Sequence, residues 1–393
     1  MPDSLSISAE EELHWLALIL VPGLGPRKAG ALLAKFRSVE SIFRANPDEL
    51  EDCGLSASVA RTVASGCTFD EAAQQQELLR RHDTTLITWR HPLYPSRLRE
   101  IYDPPAVLFV RGHTELLSTV MLGVVGTRRP TAYGSAATTR LVTDLANAQL
   151  TIVSGMARGI DTAAHRAALD AGGNTIAVFG CGVDLVYPAE NRKLAIEIAE
   201  KGLLLSEFSM STQPFPQNFP VRNRIVSGLS AGILVVEGAQ YSGSGITARL
   251  AMDQQREVFA VPGNITNKMS WGPNLLIKQG AKLVQEWNDV VAELNPDDRR
   301  QLVIAGQKQL GLESNGRLPA SDEVPASEDA ASPQAKLSKE VLAALKVDQP
   351  IHLDLLMESL LQVSSSEVIG ALFELEIGGL IKQLPGKNFV RVW

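Results

Sequence analysis

Between residues 84 and 294 the chain repeats one pattern, a short and nearly unbroken apolar run followed by an amphipathic stretch of helical length. The runs fall at 121–125, 150–153, 175–179, 203–206, 232–236 and 257–261. Apolar residues that do not alternate with polar ones mark strands buried on both faces, and the amphipathic segments supply the helices that cover them. The pattern predicts an α/β fold built on a doubly wound, Rossmann-like parallel sheet.

In such a sheet, ligands bind beyond the carboxyl ends of the strands, so the loops that follow the runs carry the functional reading. The first is followed by Gly126, Thr127 and Arg128, where small residues let backbone approach an anion and a guanidinium can take a phosphate on two nitrogens. Ser154, Gly155 and Arg158 follow the second and open a helix, whose positive end suits the same anion. Ser242, Gly243 and Ser244 precede another helix after the run at 232–236. Arg222, Asn223 and Arg224 add charge beside Pro214, Pro216 and Pro220, with Phe215 and Phe219 interleaved. Arginines among aromatics suit unstacked nucleotides, because phosphates take the guanidinium and bases stack on rings. The bland alternative is that the loops are ordinary turns and the arginines are structural, paired with carboxylates such as Asp161 or Glu237.

The flanks read differently. Residues 1–80 are helical, and at 21–30 an apolar helix ends, a Gly-Leu-Gly turn follows, and Pro26 starts the next helix. That is a helix-hairpin-helix (SAM-like) form, which either packs or offers backbone N–H groups to a phosphate beside Arg27, Lys28 and Lys35. A second, less basic turn lies at 52–56. The α/β domain spans 81–295, and the polar, proline-bearing stretch at 296–335 reads as a flexible linker. From 336 to 393 helices precede two strands around Pro385-Gly386, with Ser364-x-x-Glu367 as a capping box; this order predicts a C-terminal winged-helix domain.

Composition narrows the function. A net charge of −7 over 393 residues argues against a surface that coats nucleic acid throughout and for a confined basic site. The three cysteines and six histidines show no ligand spacing, so no metal and no cofactor is expected. No basic leader precedes an apolar run, and no apolar stretch reaches about eighteen residues, so a cytoplasmic protein without membrane association is expected. Neither a P-loop pattern nor a GxGxxG in the first βα turn is present, which leaves catalysis unsupported. Asp161 and His165, four apart, could serve as acid and base, yet capping and packing explain them as well.

Taken in order, these stretches resemble the DprA (Smf) family of DNA-processing proteins. The resemblance runs from about 84 to 287 and is carried by Tyr94-Pro95, Pro104 to Leu108, Val125 to Arg128, Ser154-Gly155 to Asp161 with Ala164-His165, Tyr187-Pro188, Ser206-Glu207, Phe219 to Ile225, Ser242 to Ser244 and Val261-Pro262-Gly263. It implies a non-enzymatic protein of natural transformation that binds incoming single-stranded DNA, protects it, displaces single-strand-binding protein and helps load the recombinase RecA as a homodimer. By motif match it assigns Gly126, Thr127, Arg128, Ser154, Gly155, Arg222, Asn223 and Arg224 to the DNA pocket. The alternative is a Rossmann-like nucleoside-monophosphate phosphoribohydrolase, although the glutamate that such enzymes place near the phosphate loop is missing after Thr247.

Overall fold

The computed structural model describes residues 7–309 and, beyond them, 337, 341–345, 351–359, 368, 370–372, 375–376, 381–384 and 388–391. Ser8 accepts the N–H of Glu11 at 3.1 Å and so caps α1 (Ala9–Ile19), whose first turn is acidic, as the helix dipole favours. The chain turns through Gly23 and enters α2 (Pro26–Lys35) at a proline that needs no N–H partner there. After α3 (Val39–Phe43), a second hairpin of the same form joins α4 (Pro47–Glu51) to α5 (Ala57–Ser65) through Gly54, and α6 (Phe69–Arg81) closes the helical segment.

Next come β1 (Thr85–Thr88), α7 (Ser96–Arg99), β2 (Val107–Gly112) and β3 (Met121–Val125). The alternation then runs α8 (Ala132–Asn147), β4 (Thr151–Ser154), α9 (Ile160–Asp170), β5 (Thr175–Val178), α10 (Arg192–Lys201) and β6 (Leu203–Ser206). It ends with α11 (Asn218–Leu229), β7 (Gly232–Val235), α12 (Gly243–Asp253), β8 (Glu257–Ala260), α13 (Trp271–Lys278), β9 (Lys282–Leu283) and α14 (Asn288–Val291). The nine strands order as β1-β2-β6-β5-β4-β3-β7-β8-β9. From β6 to β9 every pairing is parallel, and β3 to β7 are buried along their length, so the apolar runs do read as two-faced strands. The expected doubly wound parallel sheet is thus present, with an antiparallel addition at one edge: β2 pairs antiparallel with β6 and β1 antiparallel with β2. Only the four-residue α7 separates β1 from β2, so that connection holds no helix long enough to cover the sheet as a parallel crossover does.

The helical segment and the sheet share one core, in which Trp15, Leu16 and Leu32 belong with Phe109, Phe179 and Met210. Arg90, just after β1, reinforces the junction by donating to the carbonyls at the end of α2, Leu33 at 2.9 Å, Phe36 at 2.8 Å and Arg37. The described residues therefore group as two compact units, one ending at Leu294 and one starting at Asn295.

In the second unit α15 (Pro296–Gln309) corrects the start of the expected linker. Asn295 accepts the N–H of Asp298 at 2.8 Å, Pro296 takes the first helical position, and two aspartates follow, which together make a helix start. Residues 310–336 lie outside the described residues. The strands β10 (Ile351–His352), β11 (Ile381–Leu384) and β12 (Asn388–Arg391) form a sheet ordered β10-β12-β11, with α16 (Leu353–Ser359) after β10. Their core gathers Val341, Leu345, Leu356, Leu372 and Phe389. The expected strands around 385–386 are thus present, while that turn and the Ser364 capping box lie outside the described residues.

Candidate nucleic-acid cleft

The chain leaves β3 toward β4, β5 and β6 on one side, and β7 to β9 build the other side, so the loops after β3 and β7 diverge at their carboxyl ends. There a cleft of about 430 Å³ opens, bordered by Gly126, Thr127, Arg128, Gly155, Phe219, Arg222, Asn223 and the Ser242 to Ser244 turn. Its loops are held rigidly. Thr127 donates its N–H to the Glu237 carbonyl at 2.7 Å, and its own carbonyl accepts the N–H of Ile160 at 3.2 Å. Gly159, at φ +80°, makes this second contact feasible, because a Cβ there would come within 2.3 Å of the Thr127 oxygen. The Glu237 side chain is 1% exposed and accepts both the N–H and the hydroxyl of Thr131, at 2.9 and 2.6 Å. Thr131 in turn caps α8 through Gly134. Glu237 is therefore an organiser of the loop rather than a partner for an arginine.

The loop after β4 spends two of its N–H groups internally. Asp161 accepts from Gly155 at 3.1 Å and from Ala157 at 3.3 Å. Burial pushes the Asp161 carboxyl above its ordinary range, opposed by the Arg222 guanidinium beside it. Arg222 donates to the carbonyls of Gly155, at 2.5 Å, and Val178. Thr175 gives its hydroxyl proton to the Ile152 carbonyl, so the buried His165, 2.7 Å away, donates through Nδ1, while its Nε2 is without a partner. Burial and Arg222 lower His165 to about 3, which leaves a neutral packing ring. Gly228-x-Ser230-x-Gly232 has the spacing of a nucleophile elbow. Ser230 lies between a helix and the strand that follows, the reverse of an elbow's order, and its buried hydroxyl donates to Val226 at 2.8 Å.

The family profile described as DNA recombination-mediator protein A matches residues 85–295, the stretch that holds the whole cleft. A profile for the DprA winged helix domain matches 325–387, and one for a SAM-like helix-hairpin-helix tandem matches 16–67. Protein Smf of Synechocystis is 34% identical across 97% of this chain and 99% of its own. The DNA processing protein DprA of Bacillus subtilis is 48% identical over 51% of this chain and 68% of its own. The solved structure of DprA from Streptococcus pneumoniae superposes with a TM-score of 0.62 at 35% identity, over 74% of this chain and 99% of that one. The chain belongs to the DprA (Smf) family.

Of the residues that the likeness to DprA assigns to a DNA pocket, the fold brings Gly126, Thr127, Arg128, Gly155, Arg222 and Asn223 to the cleft. Arg128 makes no ion pair among the described residues, and its guanidinium lies 6.0 Å from the ring centroid of Phe219. Arg222 stands 5.9 Å from the same centroid, and the Tyr187 ring is 5.4 Å from Phe219. Two of these assignments, Ser154 and Arg224, are corrected, and so is Arg158, expected at the site from its place in the loop after β4. Ser154 is buried, with its hydroxyl given to the Val124 carbonyl at 2.6 Å. Arg158 is outside the cleft and paired with Glu190 at the surface. Arg224 points away, into a buried junction where it meets Glu207, and also Asp103 at 3.3 Å. Residues two apart on a helix lie about 200° around it, so Arg222 and Arg224 cannot face one cleft together. Burial outweighs Arg224 at Glu207, whose carboxyl is pushed up to about 7. Among the cleft's own residues, Tyr187 went unassigned, because the loop after β5 has Gly180 and Gly182 but no arginine beside them to mark an anion site.

Among the described residues no helix is long and apolar enough to cross a membrane.

Proposed function

We propose that this cleft binds single-stranded DNA and that the protein is a non-enzymatic mediator of recombination. The observation that carries the reading is Arg128, a guanidinium without an ion pair among the described residues, beside the Phe219 ring in an open cleft at the switch point of the sheet. A phosphate takes the first and an unpaired base stacks on the second, an arrangement that a single strand satisfies and a base-paired duplex does not. The first turn of α12 lies across the cleft, and its leading N–H groups lack intrahelical acceptors, which favours an anion there too.

The names of the relatives, DNA processing protein DprA and DNA recombination-mediator protein A, support the wider role. On this reading the protein protects incoming single strands during natural transformation in the cytoplasm, acts as a homodimer, displaces single-strand-binding protein and helps load RecA. An electrophoretic titration with single-stranded and duplex DNA of matched length at fixed salt tests the core of the proposal. Preference for the single strand is expected; equal affinity, or release of free base from nucleoside monophosphates by the purified protein, would replace it.

A further inference from the structure

One wall of the cleft is held from outside the sheet. Pro214, Pro216 and Phe219 line it: the two prolines lie in the loop that leaves β6 at Glu207, and Phe219 is in the first turn of α11, which that loop enters. This loop is gripped at its middle from two sides. From α6, the amide of Gln75 uses both its ends on the backbone of one residue: Oε1 accepts the N–H of Met210 at 2.9 Å, and Nε2 donates to the Met210 carbonyl at 3.4 Å. Gln75 is 8% exposed, and the Met210 side chain, 2% exposed, is inserted among the core residues of the hairpin helices. From the other side Asp184, in the loop after β5, accepts the N–H of Ser211 at 2.9 Å and its hydroxyl at 3.1 Å. Gly182 donates to the Thr212 carbonyl at 2.9 Å. Ser211 has φ +65°, a left-handed conformation that a serine keeps only where its surroundings enforce it.

Asp184 and Gly182 come from the sheet's own loops, whereas Gln75 comes from the helical segment. Its neighbour Gln76 donates to the Ala9 carbonyl at 2.7 Å and to Glu12 at 2.9 Å, both on α1. Thr68, at the start of α6, donates to the Ala17 carbonyl at 2.8 Å. Helix α6 thus ties the first hairpin helix to the Met210 backbone, which precedes the aromatic and proline wall of the cleft.

We propose that α6 is a strut through which the helix-hairpin-helix segment sets the shape of the cleft, with Gln75 as the positioning residue for the wall that carries Phe219. The consequence for DNA rests on the reading of the cleft as a single-strand site. Gln75 is not among the residues that line the cleft and neither is its hydrogen-bond partner Met210, so its influence passes through the loop and leaves the phosphate contacts themselves intact.

The test uses the full-length protein and two variants, Gln75→Leu, of similar size without hydrogen-bonding groups, and Gln75→Glu, which keeps the acceptor and loses the donor when ionised. Backbone amide exchange over residues 207–223 reads the loop, and single-strand affinity over a salt series reads the cleft. Gln75→Leu is expected to speed exchange from Met210 to Phe219 and to weaken single-strand binding about five- to tenfold, with an unchanged salt slope because no phosphate contact is lost. In Gln75→Glu, relative to wild type at each pH, protection is expected to return as the carboxyl protonates and can again donate to Met210. Affinity within about twofold of wild type in folded Gln75→Leu, or exchange at 214–219 unchanged, would overturn the proposal. If Gln75→Leu does not fold, the pH-dependent recovery of Gln75→Glu decides alone, its absence being fatal. If the wild-type protein shows no single-strand preference, the site reading fails separately, and the strut stands or falls on the exchange result.

Discussion

The guanidinium of Arg222 fills the space in which a side chain at Gly155 would stand: a Cβ there would come within 2.6 Å of Nη2, while Nη1 donates to the Gly155 carbonyl at 2.5 Å and to that of Val178. The identity of residue 155 is therefore set by a residue on α11. Gly155→Ala is expected to cost about 1–3 kcal/mol of stability by overpacking this buried contact. It should also weaken single-strand binding, since it displaces the floor of the cleft. Denaturant unfolding of the variant checks this; stability equal to wild type would show that Arg222 yields without cost.

Acid should expose the burial of His165. Its ring is held near a pKa of about 3 against an ordinary 6.5, so below pH 6.5 the unfolded chain takes up a proton that the folded one refuses. Stability from the neutral ring is thus complete above pH 6.5 and is lost as the pH falls toward 3. Glu207, pushed up to about 7, works in the opposite sense between its ordinary 4.5 and 7, where rising pH costs stability. A comparison of wild type with His165→Gln cancels that common contribution. Between pH 7 and 4 the wild type should lose stability faster than the variant, by up to about 1.4 kcal/mol per pH unit. Parallel urea-unfolding curves at every pH would contradict the assignment.

Deletion of the chain after Pro333 should leave single-strand affinity within about tenfold, or roughly 1.4 kcal/mol, of the full protein at fixed salt. Every residue lining the cleft falls between Val125 and Thr247. In the second unit the stretch from Ser364 to Glu376 carries Glu367, Glu374 and Glu376 but no lysine or arginine, which is unlike a helix that reads DNA. A greater loss in a folded truncation would bring the winged helix into binding.

What was legible in the chain and what was not follows physical lines. The strands at Met121–Val125 and Leu203–Ser206 occur at the bounds read from the apolar runs, because burial on both faces writes an uninterrupted signal. β1 and β2 escaped that reading: β1, at the sheet edge, is bounded by Thr85 and Thr88, and β2 ends in Arg111 and Gly112, so neither writes an uninterrupted apolar run. The loop at Gly126 to Arg128 was legible because it follows a strand at the switch point. Arg224 was misplaced because charge clustering along the chain ignores helical phase, which turns it from Arg222 toward Glu207. The Gln75 contact with Met210 spans 135 positions, and no local pattern announces it. Likewise the start of α15 was read for its polarity, while its cap at Asn295 and its proline carried the helix signal.

The central claim is that Arg128 holds a phosphate while Arg224 holds the fold, and salt-dependent single-strand binding measured with melting temperature on Arg128→Ala and Arg224→Ala tests it most directly. Arg128→Ala should melt like wild type, lose about 1–3 kcal/mol of binding whatever the base sequence, and reduce the slope of log affinity against log salt by about 0.7. Arg224→Ala leaves Glu207 buried without its partner and should lose on the order of 3 kcal/mol of stability, with the salt slope of the folded protein unchanged. An unchanged slope with a lowered melting temperature in Arg128→Ala, or a reduced slope with an unchanged melting temperature in Arg224→Ala, would contradict it.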